Sequence, residues 1–442
     1  GPLNFNSFPV NAGVGYMNDN GIVIKADFSG NAPINSATLP ITIAGSWTNT
    51  APGLIFGTVT YDGTDAAKTQ LVSADVSYTT LNLIGAAKKA PNSVSPNKTL
   101  SVSGNLNVSS PAVAGLNVTT IDINGNLTGN SLPTFGNADI HLAGSWTNTA
   151  SGNLTGTVTY DGISQSVVTG PTYKNLTLKG NGTLAPAAKS IGPGTLKVAG
   201  NLTLTIPAEM RYSGTTLIDI EGNLEGDEFI NSGTLPINIG GDWNNTAKGE
   251  LGGLVTYDGQ NNQKVAGLAY TDVLFTNGGT KTLVAAASVS GELEVKKGTG
   301  TNTILNANGN LTLLASANNN ANIKKLETGT DITGLVTVQT YVSGGKRSYL
   351  TFSSPVYDNT NSKGNVFTYK QLQNYMIVTG ARNGGFDPGS AGNPYGGTIR
   401  TYFEPASPTQ TQYYSPTNIN ETIESGKAFY VFYRGNRSNP TS

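Results

Sequence analysis

Three stretches of this chain are near copies of one another, and no other feature limits its fold as much. Residues 39–63 read LPITIAGSWTNTAPGLIFGTVTYDG, residues 138–162 read ADIHLAGSWTNTASGNLTGTVTYDG, and residues 235–259 read LPINIGGDWNNTAKGELGGLVTYDG. Trp47, Trp146 and Trp243 are the only tryptophans, and each stands 14 residues before the tyrosine of its own VTYDG, Tyr61, Tyr160 or Tyr257. The copies lie 99 and 97 residues apart. Self-similarity at a fixed period means that one folded unit recurs, either as separate domains or as a stack.

A shorter rhythm inside the long one separates these two cases. Gly104-Asn105-Leu106, Gly125-Asn126-Leu127 and Gly144-Ser145-Trp146 are spaced by 21 and 19 residues; Gly200-Asn201-Leu202, Gly222-Asn223-Leu224 and Gly241-Asp242-Trp243 are spaced by 22 and 19. A tandem of immunoglobulin-like sandwiches of about 100 residues each has no reason to repeat one strand at that interval. A parallel β-solenoid does, because each coil returns the chain to the same place one strand spacing higher. The expected fold is therefore all-β: a parallel β-solenoid with about 20 residues per coil and roughly 15 coils, on the order of 70 Å long, with a right-handed β-helix as the expected hand.

Alternation shows which side faces inward. Val59, Val158 and Val255 share a strand face with Tyr61, Tyr160 and Tyr257, so that face is assigned to the core, together with Trp47, Trp146, Trp243, Ile41 and Ile43. Thr60, Thr159 and Thr256, with Thr42, His141 and Asn238, are assigned to solvent. The expected domains are an N-terminal cap over 1–20, with Phe5, Phe8 and Tyr16, the solenoid over 21–334, and an incomplete β-rich module over 335–442. That last segment holds 17 of the 35 aromatic residues.

Composition removes several function classes. Only 12% of residues are charged and the formal net charge is −1, too neutral for a chain that binds by neutralising phosphates, so no nucleic acid partner is expected. No cysteine is present, which excludes disulfides and thiolate chemistry. No apolar run is long enough to span a membrane as a helix. The chain opens GPLNFN with no signal peptide, so the reading is that a signal was removed or that the sequence begins inside a longer protein.

The segment VTVQTYVSGGKRSYLTFSSPV (336–356), with GGFDPG (384–389) and GKAFYVFYRGNRS (426–438), resembles a module in large surface and secreted proteins of Bacteroidota. The G-N/S-W-x-N-T…GTVTYDG units resemble the repeats that often precede it there. The resemblance implies export by the type IX secretion route, a place on the outer surface of the cell or in the medium, and an adhesin-like role. The sorting domain that closes such proteins is not in this sequence, so the chain is expected to be a fragment.

Catalytic chemistry is thinly supplied. His141 is the only histidine, and its siblings are Thr42 and Asn238, which favours a surface residue over a base or metal ligand. Asp62, Asp161 and Asp258 recur in the YDG corner, five coils apart, which favours turn-making over a shared calcium site. Asn105, Asn126, Asn201, Asn223 and Asn310 either stack as a ladder between coils or face solvent. No catalytic residue, metal site or cofactor is assigned. In the tail, Tyr395, Tyr402, Tyr413 and Tyr414 are candidate glycan contacts, while Phe429, Tyr430, Phe432 and Tyr433 suggest a module core.

Two functions follow. One is an extracellular structural or adhesive protein with a stiff spacer and a C-terminal cap or binding head, monomeric, with surface glycans or other surface proteins as partners. The alternative is a carbohydrate-binding or polysaccharide-degrading β-helix protein.

Overall fold

The structure is a computed structural model that describes the chain except for residues 1–2, 6–7, 11–19, 32–33, 35–37, 49–53, 114–116, 181–186, 206–207, 229, 248, 250, 300, 344–347, 355–366, 390–396, 403–412 and 435–442. Two compact units emerge: Gly1–Ala315 with Asn319–Gln339, and Ser316–Asn318 with Thr340–Ser442. The first is a β-solenoid of about 14 turns.

Its strands pair in parallel and in strict register, so that apolar positions of successive coils stack in columns. One column runs Ile121, Ile140, Val158, Leu176, Leu202 and Leu224; its neighbour runs Ile123, Leu142, Tyr160, Leu178 and Leu204. The third repeat builds an equivalent pair of columns in a second sheet from Ile218, Ile237, Val255, Val273 and Leu293, and from Ile220, Ile239, Tyr257, Phe275 and Val295. These side chains are almost wholly buried. Because a strand alternates its faces, the intervening Asp122, His141 and Thr159 stack on the outside. The outer face is less wet than alternation alone implies: Thr60 and Thr159 are half-buried and Thr256 is 8% exposed. At one strand spacing, stacked polar side chains shade one another, as where Asn82 Nδ2 donates to Thr60 Oγ1 at 3.3 Å.

Each tryptophan lies inside, 1–2% exposed, and bridges in parallel to the large apolar residue one coil earlier: Trp47 to Phe28, Trp146 to Leu127, Trp243 to Leu224. Near the N-terminus, Leu3–Phe5 pairs with Ile22–Ile24 and Phe8–Val10 with Phe28–Gly30, both in parallel, so these residues stack on the first repeat as a coil does. Tyr16 lies outside the described residues.

Between two strands of one coil the chain turns at the Gly-Asn pair, and there a ladder forms. The backbone N–H of Asn126 donates to Asn105 Oδ1 (2.8 Å), that of Ser145 to Asn126 Oδ1 (2.7 Å), that of Asn223 to Asn201 Oδ1 (3.0 Å) and that of Asp242 to Asn223 Oδ1 (2.8 Å). The sequence left ladder and solvent as alternatives; the side-chain oxygens take the ladder while the residues stay partly exposed. Asn310 departs from the pattern, its amide donating to Leu283 O at 3.2 Å.

Inside, three pairs of tyrosine hydroxyls meet: Tyr61 with Tyr78 (3.0 Å), Tyr160 with Tyr173 (3.0 Å) and Tyr257 with Tyr270 (2.9 Å). The second member of each pair donates to a backbone carbonyl, of Ser73, Val168 or Ala266. Burial pushes all six phenols well above their ordinary value. An unfolded phenol ionises near pH 10 whereas these stay protonated, so their contribution is fully present below about pH 10 and is lost as pH rises toward the folded values. Denaturation midpoints are expected to fall steeply above about pH 10, with phenolate absorbance of the folded protein lagging that of the unfolded chain. Coincident titration of both would show the phenols to be wet.

The second unit is antiparallel. Its main sheet orders Ser348–Ser353, Ala428–Tyr433, Ile399–Tyr402 and Tyr413–Tyr414, and a second pairs Phe367–Thr368 with Thr422–Ile423. Its core includes Tyr369, Val378, Ile399, Phe429 and Val431. No helix among the described residues is long and apolar enough to cross a membrane.

Candidate functional site

In an antiparallel pair, residues directly opposite share a face, so register alone sorts the tail aromatics. Leu350 opposes Val431, Phe352 opposes Phe429, and Ile399 opposes Val431, which makes one face the module core. The other face carries Tyr349 opposite Phe432, Arg400 opposite Tyr430, and Tyr402 opposite Tyr413.

This second face carries two aromatic groups, Tyr349 with Phe432 and Tyr402 with Tyr413 and Tyr430. Tyr349, Tyr402 and Tyr413 are 49%, 42% and 46% exposed. The rings of Tyr402 and Tyr413 lie 5.8 Å apart, those of Tyr413 and Tyr430 6.0 Å, and those of Tyr349 and Phe432 5.0 Å, all edge to face. Arg400 places its guanidinium 5.7 Å from the Tyr349 ring centre, adding a fixed cation at the middle of the patch.

Of the tyrosines singled out by sequence, Tyr402 and Tyr413 meet on this face. Tyr414 is turned to the opposite face, and its hydroxyl donates to Glu421 Oε2 at 2.9 Å. Tyr395 lies outside the described residues. The expectation that Tyr430, Phe432 and Tyr433 belong to the core with Phe429 needs correcting for two of them: Phe429 is buried, but Tyr430 and Phe432 stand on the aromatic face. The cause is the period of 2 along Ala428–Tyr433. Sequence reasoning missed Tyr349 and Arg400 as well, since only pairing with the distant strand Ala428–Tyr433 brings them in, Tyr349 lying opposite Phe432 and Arg400 opposite Tyr430.

The recurring corners of the solenoid form a different cluster. Gln70 stands opposite Lys89, Gln165 opposite Lys189 and Gln263 opposite Lys281, one coil apart and in register. All three lysines are fully buried and the glutamines are 3–4% exposed. Each glutamine Nε2 donates to two backbone carbonyls of the previous coil, Ile239 O (2.9 Å) and Gly241 O (2.6 Å) in the third repeat. Lys281 Nζ donates to Gly259 O, Asn261 O and Gln263 Oε1, and Lys189 Nζ to Gly162 O and Gln165 Oε1. Burial pulls each lysine down to about 8, against the opposing pull of Asp62, Asp161 or Asp258. Asp258 is pushed up, first by burial and then by Asp219 and Glu221. The YDG aspartate is therefore the electrostatic neighbour of a buried amine as well as a turn residue.

His141 is part-exposed at the surface, its Nδ1 3.9 Å from Asp161 Oδ2. The acidic pair Glu292 and Glu294 is engaged by lysines: Lys324 reaches Glu292 at 2.8 Å and Glu294 at 3.4 Å, and Lys296 reaches Glu294 at 3.0 Å. Burial alone would raise Glu294, but the bonds from Lys296 and Lys324 hold it below the usual carboxylate range, the opposite of what a general acid needs. Among the described residues no three His, Asp or Glu side chains converge as a metal site. Searches against protein-family models, curated proteins and solved structures give no match to this chain.

Proposed function

We propose that this is an extracellular adhesive protein in which the solenoid is a stiff spacer and the C-terminal module is a glycan-binding head. The observation that carries the reading is the aromatic face of the module. An exposed aromatic patch of this kind marks an interaction surface, and its composition selects the partner. Flat tyrosine rings offer a surface on which the C–H faces of pyranose rings stack, and phenol hydroxyls with the Arg400 guanidinium bond ring hydroxyls or a uronate carboxylate at the rim. The solenoid supports the spacer role because stacked coils in register, with a Gly-Asn ladder along the corner, resist bending at any one joint. The resemblance to surface proteins of Bacteroidota supplies the extracellular setting and the export route.

A glycan array read together with reducing-end release tests this. Retention without release is expected. Tyr402→Ala and Tyr413→Ala should each weaken retention about tenfold, the equivalent of ~1.4 kcal/mol for one lost aromatic stack. Release of reducing ends would point to a hydrolase, and retention unchanged in both variants would remove the aromatic face from the account.

A further inference from the structure

We propose that two corners of the solenoid close covalently, Lys189 and Lys281 forming intramolecular isopeptide bonds with the side-chain amides of Gln165 and Gln263, which they already touch. The geometry brings together a nucleophile, an electrophile and a donor for the charge that develops between them. The nucleophile is an amine with no exposed surface, so water does not compete for it. The electrophile is an amide that cannot turn away: in the third repeat its Nε2 is tied to Ile239 O and Gly241 O, and in the second to Leu142 O and Gly144 O, which leaves the carbonyl facing the lysine.

That carbonyl is polarised by a backbone donor. Gly259 N–H donates to Gln263 Oε1 at 3.0 Å and Gly162 N–H to Gln165 Oε1 at 2.8 Å, where charge would develop during attack. The residue before each glycine is the YDG aspartate, Asp258 or Asp161, whose charge acts on the same lysine. Parallel strand pairing holds the two side chains opposite each other.

The neutral amine attacks Gln Cδ, forming the Nζ–Cδ bond while the carbonyl π pair moves onto Oε1 beneath the glycine N–H. A proton passes from Nζ to Nε2. The Cδ–Nε2 bond then breaks and ammonia departs. One amide replaces another, one ammonia is lost, and no oxidant, reductant or co-reactant is consumed. With the Lys281 amine pulled down to about 8, roughly one molecule in ten carries the neutral form at pH 7. In the first repeat Lys89 donates to Ala87 O at 3.0 Å, and no bond to the Gln70 side chain forms among the described residues, so two links are expected and not three.

Intact-mass spectrometry of the full chain after denaturation tests the proposal. The expected mass is about 34 Da below the sequence mass, two ammonias of about 17 Da each, and tryptic mapping should give branched peptides in which Lys189 and Lys281 escape cleavage. Lys281→Arg should reduce the deficit to about 17 Da. A chain of full sequence mass overturns the proposal and leaves the lysines as hydrogen-bonded plugs. A deficit carried by linear peptides also overturns it, since Asn-Gly pairs such as Asn277-Gly278 lose ammonia by closing a succinimide. The wild-type measurement decides even if a variant fails to fold.

Discussion

Replacing Trp146 with alanine is expected to destabilise the solenoid by about 3–5 kcal/mol, the range for deleting a large buried aromatic. The side chain is 1% exposed, its ring lies 6.4 Å from that of Tyr160 and 6.3 Å from that of Tyr173, and its backbone bridges Leu127. Nothing flexible is at hand to fill the space, because every neighbour is fixed by strand register. Stability in a solenoid is largely a sum of contacts between adjacent coils, so the loss falls on the two interfaces that the indole joins. The indole Nε1 is buried without a hydrogen-bond partner among the described residues. Trp146→Phe removes that unpaired donor and keeps most of the ring, so it should cost well under half as much. Equilibrium denaturation of both variants checks this; a loss below about 1 kcal/mol for the alanine variant would mean a loosely packed site.

The second large effect is expected where coils touch without side chains. A Cβ on Gly125 would lie 2.4 Å from both C and O of Gly104, and one on Gly144 would lie 2.1 Å from Gly125 O. The obstructing atoms are backbone, and they are already bonded: Gly125 N–H donates to Gly104 O at 2.9 Å and Gly144 N–H to Gly125 O at 3.1 Å. A methyl group here must push two coils apart and stretch the Gly-Asn ladder beside it. Gly125→Ala should cost about 3 kcal/mol or more. Gly192→Ala is the control, since its nearest atom would be Val167 O at 3.5 Å, and a change within about 0.5 kcal/mol is expected. Equal effects at both positions would refute the close approach.

These two sites also show what the sequence disclosed. Trp146 and Gly125 were legible because the repeat writes them at fixed spacing, and period-2 alternation placed Val158 and Tyr160 beside them. The second tyrosine of each pair was not, because Tyr78, Tyr173 and Tyr270 follow the first by 17, 13 and 13 residues, a variation set by loop length and not by strand register. The lysines escaped for a physical reason. A charge is ordinarily expected in water, and Lys189 is tolerated inside only because corner carbonyls such as Gly162 O converge on its ammonium. In the tail, Tyr413 and Tyr414 had to face opposite ways along one strand. That Tyr402 and Tyr430 flank Tyr413 depends on antiparallel pairing between distant strands, which composition does not encode.

The ladder at the Gly-Asn corner bears on how such a chain changes over generations. Each copy ends on a rim that matches the rim on which it began, so unequal recombination that adds or removes a whole copy of 99 or 97 residues leaves every rung mated. Loss of a fraction of a turn would instead strand a row of carbonyls. Kindred chains are therefore expected to differ in length by integer numbers of copies, which tunes reach without redesigning the joint.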